Sequence, residues 1–156
     1  MKKEDTLRAE LAELLTSSGA HADFDKAVKG FPLEDAGKLP KGVTWSAWQL
    51  LEHMRIAQAD ILEYVSTPDY REKKWPEEYW PKSPSPPSKK AWTESVRAFK
   101  SDQKKLAAML ETSDPLRPIP FANNKTLLKE ILLVTDHNAY HLGELVLLRK
   151  LLGNWK

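Results

Sequence analysis

Two histidines stand four residues apart at His137 and His141, and this pair is the first feature of the chain with a spacing that could do chemistry. At about 100° per residue they share one face of a helix, one turn apart, so two imidazoles can converge on one ion. Asn138 follows the first of them, where the zinc-protease motif requires a glutamate, so protease chemistry is disfavoured. Glu130 and Glu144 lie seven residues before and after His137, within about 20° of its direction by the same angular step. Leu133, Val134, Leu145 and Leu148 flank this polar stripe, on a segment apolar enough that most of its circumference must be covered. Ionisable groups buried there need partners. A divalent cation satisfies several at once, and an internal hydrogen-bond network between histidine and glutamate is the alternative.

A third histidine, His53, shares its direction with Leu50, Ala57 and Tyr64, with Asp60 seven residues further on. Taken by itself it reads as a core histidine with its polar atoms satisfied. His21 falls beside a break in the pattern, and nothing aims it at the others, so it reads as exposed or structural. Three neutral imidazoles with an open coordination position would form a catalytic rather than a structural site, water or substrate taking the fourth place.

The elements that position these groups follow from periodicity and breakers. Leu7, Leu11, Leu14 and Leu15 predict a helix over 4–16, ended near Gly19 and resumed over 22–28. Pro32, Gly37, Pro40 and Gly42 make 30–43 a loop. Thr44 or Ser46 caps the next helix, with Gln49 in capping-box spacing from Ser46, and it carries His53 to about Val65 before Pro68. The stretch 69–88 holds five prolines together with Trp75, Tyr79 and Trp80, so it predicts a long loop pinned by its aromatics. Those rings either patch the core or wall a substrate pocket, as a lid. Trp92, Val96, Phe99, Leu106, Met109 and Leu110 predict a helix over 89–111, and Thr126 caps a last one reaching Leu152 before Gly153. The expected fold is an all-α four-helix bundle, with the proline-rich loop between its second and third helices.

The totals narrow the functions. A chain of 156 residues has room for one core, so residues 1–156 read as a single domain. With 24 basic and 22 acidic side chains, a net charge of +2 and no charged block, no nucleic-acid partner is expected. The absence of cysteine excludes disulfides, thiolate metal sites and a cysteine nucleophile. No segment reaches the roughly 18 apolar residues of a membrane span, and the first 15 residues do not read as a leader, so a soluble, cytoplasmic protein is expected.

The segments WSAWQLLEHMRIAQAD (Trp45 to Asp60) and TLLKEILLVTDHNAYHLGELVLLRKLLG (Thr126 to Gly153) resemble those of DinB-like metal-binding four-helix bundles, the superfamily that includes bacillithiol transferases and mycothiol-dependent maleylpyruvate isomerase. The resemblance covers nearly the whole chain. It implies one ligand from the second helix and two from the last, carried here by His53, His137 and His141, with zinc or nickel as the first metals to consider. Family members more often have Gly-Gln after the second histidine of the pair, whereas here Glu144 follows Gly143 and brings an additional carboxylate toward the site. The resemblance also implies a homodimer, consistent with Leu128, Leu132, Leu142 and Val146 pointing away from the histidine face.

Two functions are compatible with this pattern. In the first, an enzyme activates a low-molecular-weight thiol or water for transfer or hydrolysis of a small-molecule substrate, Glu144, Glu130 or Asp60 orienting an imidazole or taking a proton. A thiol would have to come from outside as a cosubstrate. In the second, a stress-associated binding or structural protein uses the metal to stabilise the bundle without turnover. A protein carboxylate closing the fourth position would favour the second, with Glu144 as the residue to watch.

Overall fold

The computed structural model describes residues 3–17 and 19–155. The described residues are helical with no strand, in the order α1 (Lys3–Thr16), α2 (Phe24–Val28), α3 (Ala47–Ser66), α4 (Lys89–Thr112) and α5 (Leu127–Leu151). Four long helices form the bundle, and the short α2 packs against α5. The contacts of α4 and α5 are chiefly to α1 and α3, so α4 and α5 face each other diagonally.

Each start has a chemical cause. Ser46 caps α3 by accepting the Gln49 N–H, while the Gln49 side chain accepts the Ser46 N–H, a complete capping box. Ser88 and Thr126 cap α4 and α5 in the same way through the N–H groups of Ala91 and Lys129. Gly153, at φ 72°, supplies the left-handed residue beyond α5. Gly19 does not do this for α1. That helix stops at Thr16, where the hydroxyls of Thr16 and Ser17 donate back to the Ala12 and Glu13 carbonyls.

The apolar core is divided. One cluster joins α2, the first half of α3, the first half of α4 and the end of α5 through Phe24, Trp48, Leu51, Met54, Phe99 and Leu145. The other joins α1 to the opposite ends of the long helices through Leu11, Leu15, Val65, Leu106, Leu110 and Ile131. Between the two lie buried polar groups, Gln58 and Asp60 on α3 and His141 on α5, while the buried His53 sits at the edge of the first cluster.

The proline-rich loop runs back along α3 rather than away from it. Ser46 Oγ donates to the Pro84 carbonyl, Gln49 Nε2 to the Pro81 carbonyl at 3.2 Å and His53 Nδ1 to the Tyr79 carbonyl at 3.0 Å. These donors follow one another at helical spacing along α3 and read successive carbonyls of the loop, which has no ladder partner of its own.

Candidate metal centre

His53 is 2 % exposed because α3 brings it under both the loop and α5. Its Nδ1–H bond to Tyr79 fixes the tautomer and leaves the Nε2 lone pair toward α5. His137 Nε2 lies 3.1 Å away from that atom. His141 donates its own Nδ1–H to Glu144 Oε2 at 2.6 Å, which frees its Nε2 as well. One ligand atom from each of the three rings lies within 4.8 Å of the other two. Nitrogens bound tetrahedrally to one ion at about 2.0–2.1 Å stand about 3.3 Å apart, so small shifts bring the three rings to coordination distance.

Electrostatics favour neutral rings. Burial pushes the His53 imidazole down from its ordinary 6.5 to about 4, and burial with the neighbouring His141 pushes His137 to about 4. Neutral imidazole is the form that ligates a metal. His137 Nδ1 is buried without a hydrogen-bond partner, a cost to a metal-free hydrogen-bond network. The donor set therefore fits a divalent ion: the three histidines can hold one.

The aromatic loop supplies a wall. Trp80 stacks on His53 with centroids 3.7 Å apart and planes within 8°, and on its other face meets Trp45 at 4.0 Å. Trp75 lies edge-on to His53 and is exposed, and the exposed Tyr140 stands edge-on to His141. Trp80 thus packs against the bundle, as the packing reading expects, while Trp75 stays exposed beside the cluster.

The three carboxylates separate. Glu144 sits behind His141 as its acceptor, so it does not close the coordination sphere, and among the described residues no acidic group joins the three histidines within the cluster. Asp60 is buried and accepts from Tyr79 Oη at 2.6 Å, Lys73 Nζ at 2.9 Å and Tyr70 Oη at 3.2 Å. It touches no histidine among the described residues, but it fixes the tyrosine whose carbonyl orients His53. Glu130 is buried in the other half of the bundle, about 10 Å along the axis from His137 at 1.5 Å per residue, and burial raises its pKa. No hydrogen bond joins it to the three histidines. His21 is exposed, with Nδ1 near the Ala22 carbonyl. Reasoning from sequence alone did not find Tyr79, which acts through a backbone atom, or Gln58 and Asn138, whose amides pair at 3.0 Å beside the site. Gln58 on the helical face of α3 that also carries Leu51, Met54, Ile61 and Val65 was the available signal.

A cavity of about 530 Å³, walled by Leu15, Phe24, Met54, Phe99 and Leu142, touches none of the three histidines. The metal centre is instead a small buried cluster whose rim is Trp75, Tyr140 and Glu144.

The family model of the DinB superfamily matches residues 18–145. No curated protein matches the chain, and no solved structure does. With three histidines gathered from α3 and α5 of an all-helical bundle and the family model covering most of its length, the chain belongs to the DinB superfamily.

Proposed function

We propose that this protein is a metal-dependent enzyme that activates a small thiol or a water molecule and delivers it to an electrophilic small molecule. The observation that carries the reading is the composition of the cluster: three imidazoles and no carboxylate among the described residues within reach, a donor set that leaves a coordination position for water or substrate. A divalent ion held there, zinc or nickel by preference for imidazole, supplies Lewis acidity that lowers the pKa of a thiol or water at neutral pH.

The chain's own residues do the rest. Tyr79 and Glu144 orient His53 and His141 through their Nδ1–H groups. Glu144, half-buried at the edge of the site, is assigned the proton acceptor's part through Oε1, the carboxylate oxygen not engaged by His141. Trp80 covers one face of His53 and keeps water from it. Trp75 and Tyr140 offer exposed aromatic surface for the apolar part of a substrate. Asp60 is assigned the positioning of Tyr79, and Glu130 no part in the reaction.

The proposed assembly is a homodimer through α5. Its exposed face carries Leu132, Leu133, Leu147 and Leu151, and a Cβ built on Gly143 meets nothing within 4 Å, so a second helix can approach closely. Leu142 is buried, and Leu128 and Val146 are half-buried. These three belong largely to the core, and only Leu132 of the four expected residues lies on the free face. The proposed setting is the cytoplasm, with no nucleic-acid partner; no described helix is long and apolar enough to cross a membrane.

The test is elemental analysis of untagged protein beside a His137→Ala/His141→Ala double variant, followed by assay of the loaded protein with small thiols and electrophiles. About one metal per chain in the wild type, absent from the variant, with thiol consumed only by the loaded protein, is the expected result. A wild type that stays metal-free after reconstitution overturns the reading. The burial of His53 and His141 favours a second reading, a metal that stabilises without turnover, which predicts a loaded protein inactive toward every thiol and ester offered.

A further inference from the structure

The helix position beside α4 and α5 is filled by two pieces of chain, α1 up to Thr16 and α2 from Phe24. The cavity of about 530 Å³ lies at the break between them, lined by Phe99 and Gln103 of α4 and by Leu132, Ala139 and Leu142 of α5, and it reaches Met54 of α3. Its volume is that of a pocket for a small organic molecule.

The polar part of its lining has one sign. The hydroxyls of Thr16, Ser17 and Thr135 donate to the carbonyls four residues back, those of Ala12, Glu13 and Ile131. Gln103 Nε2 donates to the Leu15 carbonyl at 2.7 Å, and Asn138 Nδ2 to Gln58 Oε1 at 3.0 Å. Lys100 Nζ is engaged by both oxygens of Asp25, each at 2.7 Å. The donors are thus largely spent on the protein, and what is left over accepts. Asp23, whose Oδ1 caps α2, and Asp136 are exposed and form no ion pair among the described residues. Three aspartates against one lysine leave two negative charges around this cavity, in a chain whose net charge is +2.

We propose that the cavity is a second binding site, for a small amphipathic organic amine whose apolar body enters between α4 and α5 and whose ammonium is held at the mouth by Asp23 and Asp136. An ammonium brings three donors and no acceptor, the complement of a lining that has spent its donors. An anion of the same shape would meet the carboxylates with no free donor to offset them. The site touches none of the three histidines and needs no metal ion.

Met54 and Met109 provide a signal and its control, since the first lines the cavity and the second packs in the other apolar cluster. The full chain, carbon-13 labelled at its methionine methyls, is titrated with naphthylmethylammonium and with naphthoate as the charge-reversed probe, before and after zinc is added. The ammonium should shift the Met54 methyl saturably and leave Met109 in place, with naphthoate at least about tenfold weaker and zinc altering neither. Ala139→Trp, which puts an indole into the cavity, should abolish the response. Asp136→Lys, at an exposed position, should bring the two probes to comparable affinity. A Met54 methyl that never responds, or equal affinity of both probes for the wild type, overturns the proposal. So does a response that appears only with zinc, which would assign the amine to the metal centre. None of these outcomes alters the metal reading, which stands or falls on its own stoichiometry.

Discussion

Glu144 and the imidazole of His141 form a short carboxylate–histidine pair at the edge of the cluster, and the charge on that carboxylate separates two roles. As an acceptor it can be replaced by an amide, but as a base it cannot. Glu144→Gln should therefore still hold one zinc per chain, with affinity reduced by about tenfold or less, while activity that depends on a proton acceptor loses its limb at neutral pH; a pH–rate profile beside a metal titration reads both. The neutral rings carry a second prediction. His53 and His137 have folded-state pKa values near 4, below the ordinary 6.5, so the unfolded chain takes up protons first as pH falls. In metal-free protein, stability should be complete above about pH 6.5 and decline toward pH 4, where the loss levels off because the folded state also binds protons. Denaturant titrations at intervals over that window check it, and a flat profile would contradict the buried neutral rings. The His137 and His141 pair is legible in the sequence because helical pitch alone aligns them. Glu130 shows the limit of that reasoning: a seven-residue offset preserves direction but displaces the group by about 10 Å, and the structure puts it in the other half of the core. His53 could be assigned from the family pattern but not from its own helix, because no periodicity says which faces of two helices meet.

At the scale of elements, α3 and the loop behind it form one unit. Asp60 gathers Tyr70, Lys73 and Tyr79 onto α3, and burial together with that carboxylate raises both phenols, Tyr70 to about 12, so they remain donors at any working pH. Removing the carboxylate leaves several partly buried donors unpaired. Asp60→Ala should cost about 2–3 kcal/mol or more, and Tyr79→Phe about 1–2 kcal/mol. Both should also weaken zinc binding, since the Tyr79 carbonyl behind His53 is no longer held; thermal melts and zinc titrations of the two variants test this, and undiminished affinity in both would detach the loop from the site. The helix starts of α3 and α5 were legible because Ser46 and Thr126 are residue types that cap helices, whereas the start of α4 was read from apolar periodicity and its cap, Ser88, emerged only in the structure. The course of the loop was not, because its anchors on the loop side are the carbonyls of Tyr79, Pro81 and Pro84, and a backbone atom has no residue-type signature. Nor did the aromatic count say that Trp80 would lie flat on His53 while Trp75 stays in solvent.

At the scale of the molecule, the exposed face of α5 makes the proposed dimer testable without reference to activity. Replacing Leu133 and Leu147 together by Glu should give a monomer by sedimentation, with zinc stoichiometry unchanged if each copy holds its own ion; a wild type that is already monomeric would end the proposal. The divided core has a different outcome. Gln58 on α3 and Asn138 and His141 on α5 lie between the two apolar clusters, with His53 at the edge of the first. In such a fold, local opening need not wait for global unfolding. An ion joining α3 to α5 there would act as a rivet. Amide exchange around 137–141 should then slow sharply on zinc loading, while amides around 106–110, deep in one half, change little. The same three histidines would thereby decide whether the bundle unfolds as one body or as two.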